Sequence, residues 1–122
     1  MSRPVGPYSP SLSAGGWLAT SGQVGIVAGD EGPTLVEGGT AAQLRQALVN
    51  VASVLAEGGA AMSDVVTATL YLVDMGDYRV ANEVWMEAFG DHRPARTAVA
   101  VAALPLGARA EVAVWAWTGD PA

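Results

Sequence analysis

The 122-residue chain contains no cysteine, no lysine and a single histidine. Without cysteine there can be no disulfide, no thiol nucleophile and no thiolate metal site. Without lysine, Schiff-base catalysis and a phosphate-loop lysine are excluded. His92 alone cannot build a multi-histidine metal centre, and the GxSxG turn of the serine hydrolases is missing. No apolar run approaches the ~20 residues that cross a bilayer. The opening MSRPVGPYSP lacks the apolar segment of a secretion signal, so a cytoplasmic protein with no membrane partner is expected. Positive charge is also scarce, with six arginines against twelve acidic residues and a net charge of −6. That balance argues against a surface that tracks phosphates, hence against a nucleic-acid partner. Any chemistry must come from Arg, Asp, Glu, Tyr, Ser, Thr and backbone amides.

What is present is apolar, at 51% hydrophobic against 15% charged residues, which suits one globular domain over residues 1–122. Residues 17–20 (WLAT) and 23–27 (QVGIV) read as short strands. A turn cluster at 29–33 then leads to TLVE as a hairpin partner. Leu44, Leu48, Val51 and Leu55 fall at i, i+4, i+7 and i+11, predicting a helix from about Thr40 to Glu57 between Gly38-Gly39 and Gly58-Gly59. VVTATLYLV (65–73) is β-branched and reads as a strand. A second helix is expected over Tyr78 to Phe89 with Val80, Val84 and Ala88 along one stripe. Asp74 and Asp77 stand at its start. Two strands follow, about 97–103 and 109–117, joined as a hairpin by LPLGA.

This order predicts an α+β fold: one mixed six-stranded sheet with two helices on one face. The strands carry few charges on either side, yet two helices cover only one face. Ala113, Trp115 and Trp117 would lie on the other. An apolar patch of that kind is unusual on a monomer, so a second copy of the sheet is the economical cover.

A spaced set of motifs runs from Gly6 to about Trp117: GPYS (6–9), SGQ (21–23), Q-x-x-Q-x-L-x-N (43–50), D-V-V-x-x-T-x-Y-L-x-D-M (64–75), N-x-V (82–84), RPAR (93–96), LP (104–105) and E-V (111–112). Each piece is weak alone, but the ordered set resembles the RidA/YjgF family of reactive-intermediate deaminases. The resemblance implies a chorismate-mutase-like homotrimer with clefts between subunits. It also implies cofactor-independent hydrolysis of enamine and imine intermediates, such as 2-aminoacrylate, to a 2-keto acid and ammonia. It assigns carboxylate binding to Arg96 and a catalytic carboxyl to Glu111, with Arg96, Glu111 and Tyr8 together forming the catalytic set. Ser21, Gly22 and Gln23 of the SGQ loop and Asn82 join the substrate-binding set. The chain departs from the family at Ala98, where many members carry cysteine. The 90–93 stretch (GDHR) is also short, with Arg93 where relatives place an aromatic.

The residue chemistry fits such a substrate. Arginine's planar fork suits a carboxylate, and a carboxyl in apolar surroundings can move a proton near neutrality. Taken singly, the same residues have plainer readings. Arg96 could form a surface ion pair, Glu111 could mark the polar side of an edge strand, and Tyr8 could simply pack. Asn82 could be solvated and His92 an exposed turn residue. With strands 97–103 and 109–117 paired as a hairpin, Arg96 and Glu111 stand ~13–17 Å apart along the sheet. The expectation is therefore a cleft pairing Arg96 of one chain with Glu111 of its neighbour. The alternative is a member of the same trimeric family that binds a small carboxylate without turnover or serves one biosynthetic pathway. A third reading, ribonuclease or translation inhibitor, is disfavoured by the acidity and the lone histidine.

Overall fold

Helix α1, Gly39–Glu57, forms where the four-residue spacing of leucine and valine predicts it. Leu44, Leu48, Val51 and Leu55 are at most 2% exposed, each contributing about 1.5–3 kcal/mol by burial. The chain enters through Gly38, whose φ of 115° is left-handed. It leaves through Gly58, whose N–H donates to the carbonyls of Val54 and Leu55. Helix α2, Tyr78–Phe89, follows a short 3-10 turn at Met75–Asp77. Asp74 caps that turn, its Oδ1 accepting from the Gly76 N–H at 2.8 Å. The buried stripe of α2 is Ala81, Val84, Trp85 and Phe89, and Ala88 of the expected stripe is exposed. The aromatic pair decides the rotation: Trp85 and Phe89 lie 4.9 Å apart between centroids, and together they bury more area than valine and alanine could.

The computed structural model describes residues 6–119. Its strands are β1 Ser11–Ala14, β2 Trp17–Thr20, β3 Gln23–Val24, β4 Ile26–Gly29, β5 Gly32–Leu35, β6 Val65–Leu72, β7 Ala95–Ala100 and β8 Ala110–Trp117. Six form one sheet in the order β1-β2-β8-β6-β7, with β3 also paired to β8. β6 and β7 run parallel and the other pairs are antiparallel, giving the expected mixed sheet. β4 and β5 form a separate hairpin.

Three details differ from the sequence reading. The strand expected over 23–27 breaks at Gly25, where a Cβ would stand 2.3 Å from the Gln43 carbonyl oxygen. The backbone there lies directly on α1, and Asn50 Nδ2 donates to the carbonyls of Val24 and Ile26 on either side of the break. β1 was not visible in the sequence because SLSA has little β-propensity. The largest correction is the last hairpin. β7 and β8 do not pair; β6 lies between them, parallel to β7 and antiparallel to β8. Crossover through α2 returns the chain parallel to β6, as a strand-helix-strand unit does. The connection to β8 then passes through Pro105–Gly107, with Leu106 at φ 61°.

The faces of the sheet are sharply unequal. Ala68, Leu70 and Leu72 of β6 and Ala110, Val112, Val114 and Ala116 of β8 are buried beneath the helices. The opposite face carries Leu12, Trp17, Trp115, Trp117 and Val99. No described element covers it, and Leu12 and Trp115 are 70% and 50% exposed. Trp17 sits edge-on between Trp115 and Trp117, with centroids 6.0 and 5.1 Å away. The expected apolar face, with Ala113, Trp115 and Trp117 on it, is therefore present.

Candidate functional site

Arg96 is the second residue of β7, a strand at the end of the sheet. Its register partner Ala68 is buried under the helices, so Arg96 projects to the helix side. There α2 receives it. Nη2 donates to Asn82 Oδ1 at 2.8 Å and to the Tyr78 hydroxyl at 3.2 Å. The guanidinium carbon lies 5.0 Å from the Trp85 ring centroid and 5.6 Å from that of Tyr78. Among the described residues no carboxylate pairs with Arg96; the ion pairs seen are Arg45–Glu87 and Arg109–Asp77. The surface ion pair that its position suggested is not found among the described residues.

Glu111 occupies the other face. It pairs with Tyr71 across β6 and with Val24 across β3. It is half-buried, and burial raises its pKa above the ordinary 4.5. Gly22 presses against it: a Cβ at Gly22 would stand 2.4 Å from Glu111 Oε2. No side-chain hydrogen bond holds this carboxyl among the described residues. Ser21, beside Gly22, donates from its hydroxyl to the Ser9 carbonyl and from its N–H to the Pro10 carbonyl. The segment bearing Tyr8, itself 44% exposed, is thereby laid along the Ser21–Gly22 turn. Gln23 is buried, and its Nε2 donates to the Ser21 carbonyl, so its side chain stiffens the turn from behind.

The expected residues therefore fall into two groups. Tyr8, Ser21, Gly22, Gln23 and Glu111 share one locale, and Arg96 and Asn82 share another. Within a chain the two groups do not meet. Arg96 aligns with residue 68 of β6 and Glu111 with residue 71. Three residues along and two strands across put their Cα atoms roughly 14 Å apart, with side chains on opposite faces. The hairpin register expected for them was wrong, but their separation within one chain remains.

A clasp of buried and half-buried groups joins the two locales. Arg109 donates from Nε to Thr40 Oγ1 at 2.9 Å and from Nη2 to Asp77 Oδ2 at 3.0 Å. Thr40 Oγ1 in turn donates to Asp77 Oδ2, and Gln43 Oε1 accepts from the Arg109 N–H. Arg109 lies two residues before Glu111, and Asp77 immediately precedes Tyr78. The hydrogen bond from Thr40, then that from Arg109, lowers the Asp77 pKa below its ordinary 3.8. His92, expected in an exposed turn, is half-buried with Nε2 2.7 Å from the Val65 carbonyl oxygen. It anchors the α2–β7 connection. Sequence reasoning missed Tyr78 and Trp85, although with Asn82 they stand at i, i+4 and i+7 on one helix face.

The family model described as Endoribonuclease L-PSP matches residues 1–118. The chain is 41% identical over 103 residues to a RutC family protein of Pyrococcus horikoshii, covering 84% of this chain and 80% of that one. It is 37% identical over 108 residues to human 2-iminobutanoate/2-iminopropanoate deaminase, covering 88% and 77%. Its fold superposes on the crystal structure of RidA from an Antarctic Psychrobacter with a TM-score of 0.86 at 35% identity, over 94% of this chain and 91% of that one. A match that spans both groups of candidate residues and every strand of the sheet makes this chain a member of the RidA/YjgF family.

Proposed function

We propose that the protein hydrolyses small 2-imino acids to 2-keto acids and ammonia, without a cofactor, in clefts between the subunits of a homotrimer. The observation that carries this reading is the pairing of two unneutralised groups on opposite faces. Arg96 is a cation with no carboxylate partner among the described residues, and Glu111 is a half-buried carboxyl with no hydrogen bond there. Each suits one end of a 2-imino acid, and neither can reach the other within a chain. A neighbouring copy that covers the open sheet face and also reaches round the edge strand β7 would bring them together. The named activity of the human relative supports the same substrate class.

In this scheme Arg96 binds the substrate carboxylate, with Asn82 beside it. Water adds to the iminium carbon as Glu111 takes its proton, giving a neutral carbinolamine. Glu111 then protonates the nitrogen. The C–N bond breaks with its electron pair leaving on ammonia, the hydroxyl loses its proton, and the C=O bond forms. The sum is iminium carboxylate plus water giving keto acid plus ammonium. The raised pKa of Glu111 suits a group that both takes and returns a proton near neutrality. Tyr8, Ser21 and Gly22 would form the wall around the reacting carbon.

A second reading, binding of a small carboxylate without turnover, draws on Ala98. It follows Arg96 by two residues on the same face and packs partly buried on the core, so no thiol is available where many relatives have one. Ribonuclease chemistry has less support, since the chain's one histidine is tied to the Val65 carbonyl. The deciding measurement is the rate of 2-keto acid formation from a 2-imino acid generated in situ by an amino-acid oxidase. The chain should accelerate it. Arg96→Ala should lower kcat/KM by ~30- to several-thousand-fold, the effect of leaving a desolvated charge unpaired. Arg96→Lys should recover little, because an ammonium is a point charge with neither the planar set of donors nor the flat face that lies against Trp85 and Tyr78. Wild-type protein that binds a keto acid but gives no rate above background would favour the binding reading.

A further inference from the structure

We infer that Tyr78, backed by Trp85, is a positioning residue that holds the Arg96 guanidinium ready for an anion, an inference that rests on Arg96 being the carboxylate-binding group proposed above. An arginine on an edge strand would ordinarily range over many rotamers, and binding would have to order it at a cost of about 2 kcal/mol. Proteins usually restrain such a side chain with a carboxylate. Here the restraint is built from neutral groups. Two aromatic rings lie within the ~6 Å over which a ring face attracts a cation, at 5.0 Å for Trp85 and 5.6 Å for Tyr78. One nitrogen, Nη2, makes both hydrogen bonds to α2, one to a neutral amide oxygen and one to a phenol.

The consequence is electrostatic. A carboxylate partner would hold the guanidinium and also discharge it, so an incoming anion would have to compete. Rings and neutral acceptors hold it with its charge intact. Nη1 and Nε have no hydrogen-bond acceptor among the described residues and remain for the ligand. Burial separates the two rings by role. Trp85 is 4% exposed and belongs to the core, whereas Tyr78 is 41% exposed. Tyr78 therefore gains less from core packing than Trp85 does, and its described polar contact is with Arg96. The arrangement is set by α2 alone, since Tyr78, Asn82 and Trp85 recur on one helical face.

The test compares Tyr78→Leu, Tyr78→Phe and Arg96→Ala in the full chain. Affinity for 2-oxobutanoate is read by calorimetry, KM and kcat by imine hydrolysis, and folding by thermal melting. Tyr78→Leu should melt near wild type, weaken 2-oxobutanoate binding ~3- to 30-fold, the range of a cation–π contact, and raise KM more than it lowers kcat. Tyr78→Phe keeps the ring face and should recover most of that loss. Should the leucine variant aggregate, Tyr78→Gln removes the ring with a soluble helix former. Unchanged affinity in folded Tyr78→Leu or Tyr78→Gln, alongside lost binding in Arg96→Ala, would overturn this inference alone. Unchanged binding in Arg96→Ala would overturn the role of Arg96 and this inference with it.

Discussion

Glu111 carries a cost in stability that the function proposed for it would explain. Its ionised form is disfavoured by burial, so folding binds its proton more tightly than the unfolded chain does. A carboxyl whose pKa is raised on folding contributes a penalty that is absent below the ordinary value of 4.5. The penalty grows as pH rises through the folded value. Glu111→Gln should therefore melt higher than the wild type at neutral pH, with the difference closing near about pH 4. If Glu111 is the proton shuttle proposed above, the same substitution should lower kcat by ~10²–10⁴ with little change in binding. Equal melting temperatures across that range would show that the carboxyl is not desolvated. Gly22 supplies a second probe of the same atom. A methyl group there would stand 2.4 Å from Oε2 and 2.7 Å from Cδ, so the carboxylate must turn aside. Because the end of a flexible side chain yields cheaply, Gly22→Ala should change stability by less than ~1 kcal/mol. Displacing the carboxylate by about an ångström should nonetheless reduce kcat ~10- to 100-fold.

Among the elements, the clasp of Thr40, Asp77 and Arg109 ties the start of α1 to the start of α2 and to the entry of β8. Asp77 has its pKa lowered on folding, first by Thr40 and then by Arg109, so its sign is opposite to that of Glu111. Its contribution is present above the ordinary 3.8 and disappears as pH falls through the lower folded value. Asp77→Asn should lower the melting temperature at neutral pH, and the deficit should shrink in acid. It should also raise KM, because α2 carries the groups around Arg96. The two helices were legible in the sequence because apolar residues at helical spacing mark a face to bury, although in α2 Trp85 and Phe89 rather than Val80 and Ala88 set which face that is. The strand order was not. Nothing in LPLGA distinguishes a hairpin from a turn that leads past β6, and the preference of β6 for two partners acts only in three dimensions. For the same reason Arg96 and Glu111 could be picked out by residue type and family position, while their opposite faces could not. Tyr78 and Trp85 were within reach: an aromatic at i and i+7 around Asn82 was visible, but only Arg96 on a neighbouring strand gives that spacing a meaning.

For the whole molecule, the open sheet face and the two-chain site proposed above make the same demand. Leu12, Trp115 and Val99 leave an apolar surface that no described segment covers, and the trimer proposed above would bury it against copies of the same chain. Light scattering on dilute protein should give three chain masses. That same assembly would have to carry Arg96 of one chain to Glu111 of the next, and complementation tests this directly. Each site of a cyclic trimer would take its arginine from one subunit and its glutamate from the following one. Arg96→Ala and Glu111→Gln proteins, each inactive, would be unfolded together in equal amounts and refolded. Every trimer holding both kinds of chain then contains one cleft with both wild-type groups. Random assembly puts three quarters of trimers in that class, so about one quarter of all clefts should be active. A recovered rate near that fraction of wild type, absent when the variants are refolded apart and mixed afterwards, is the expected result. No recovery in trimers verified by mass to be mixed would mean that a single chain supplies both groups, and the separation of Arg96 and Glu111 across the sheet would have to close by a rearrangement within it.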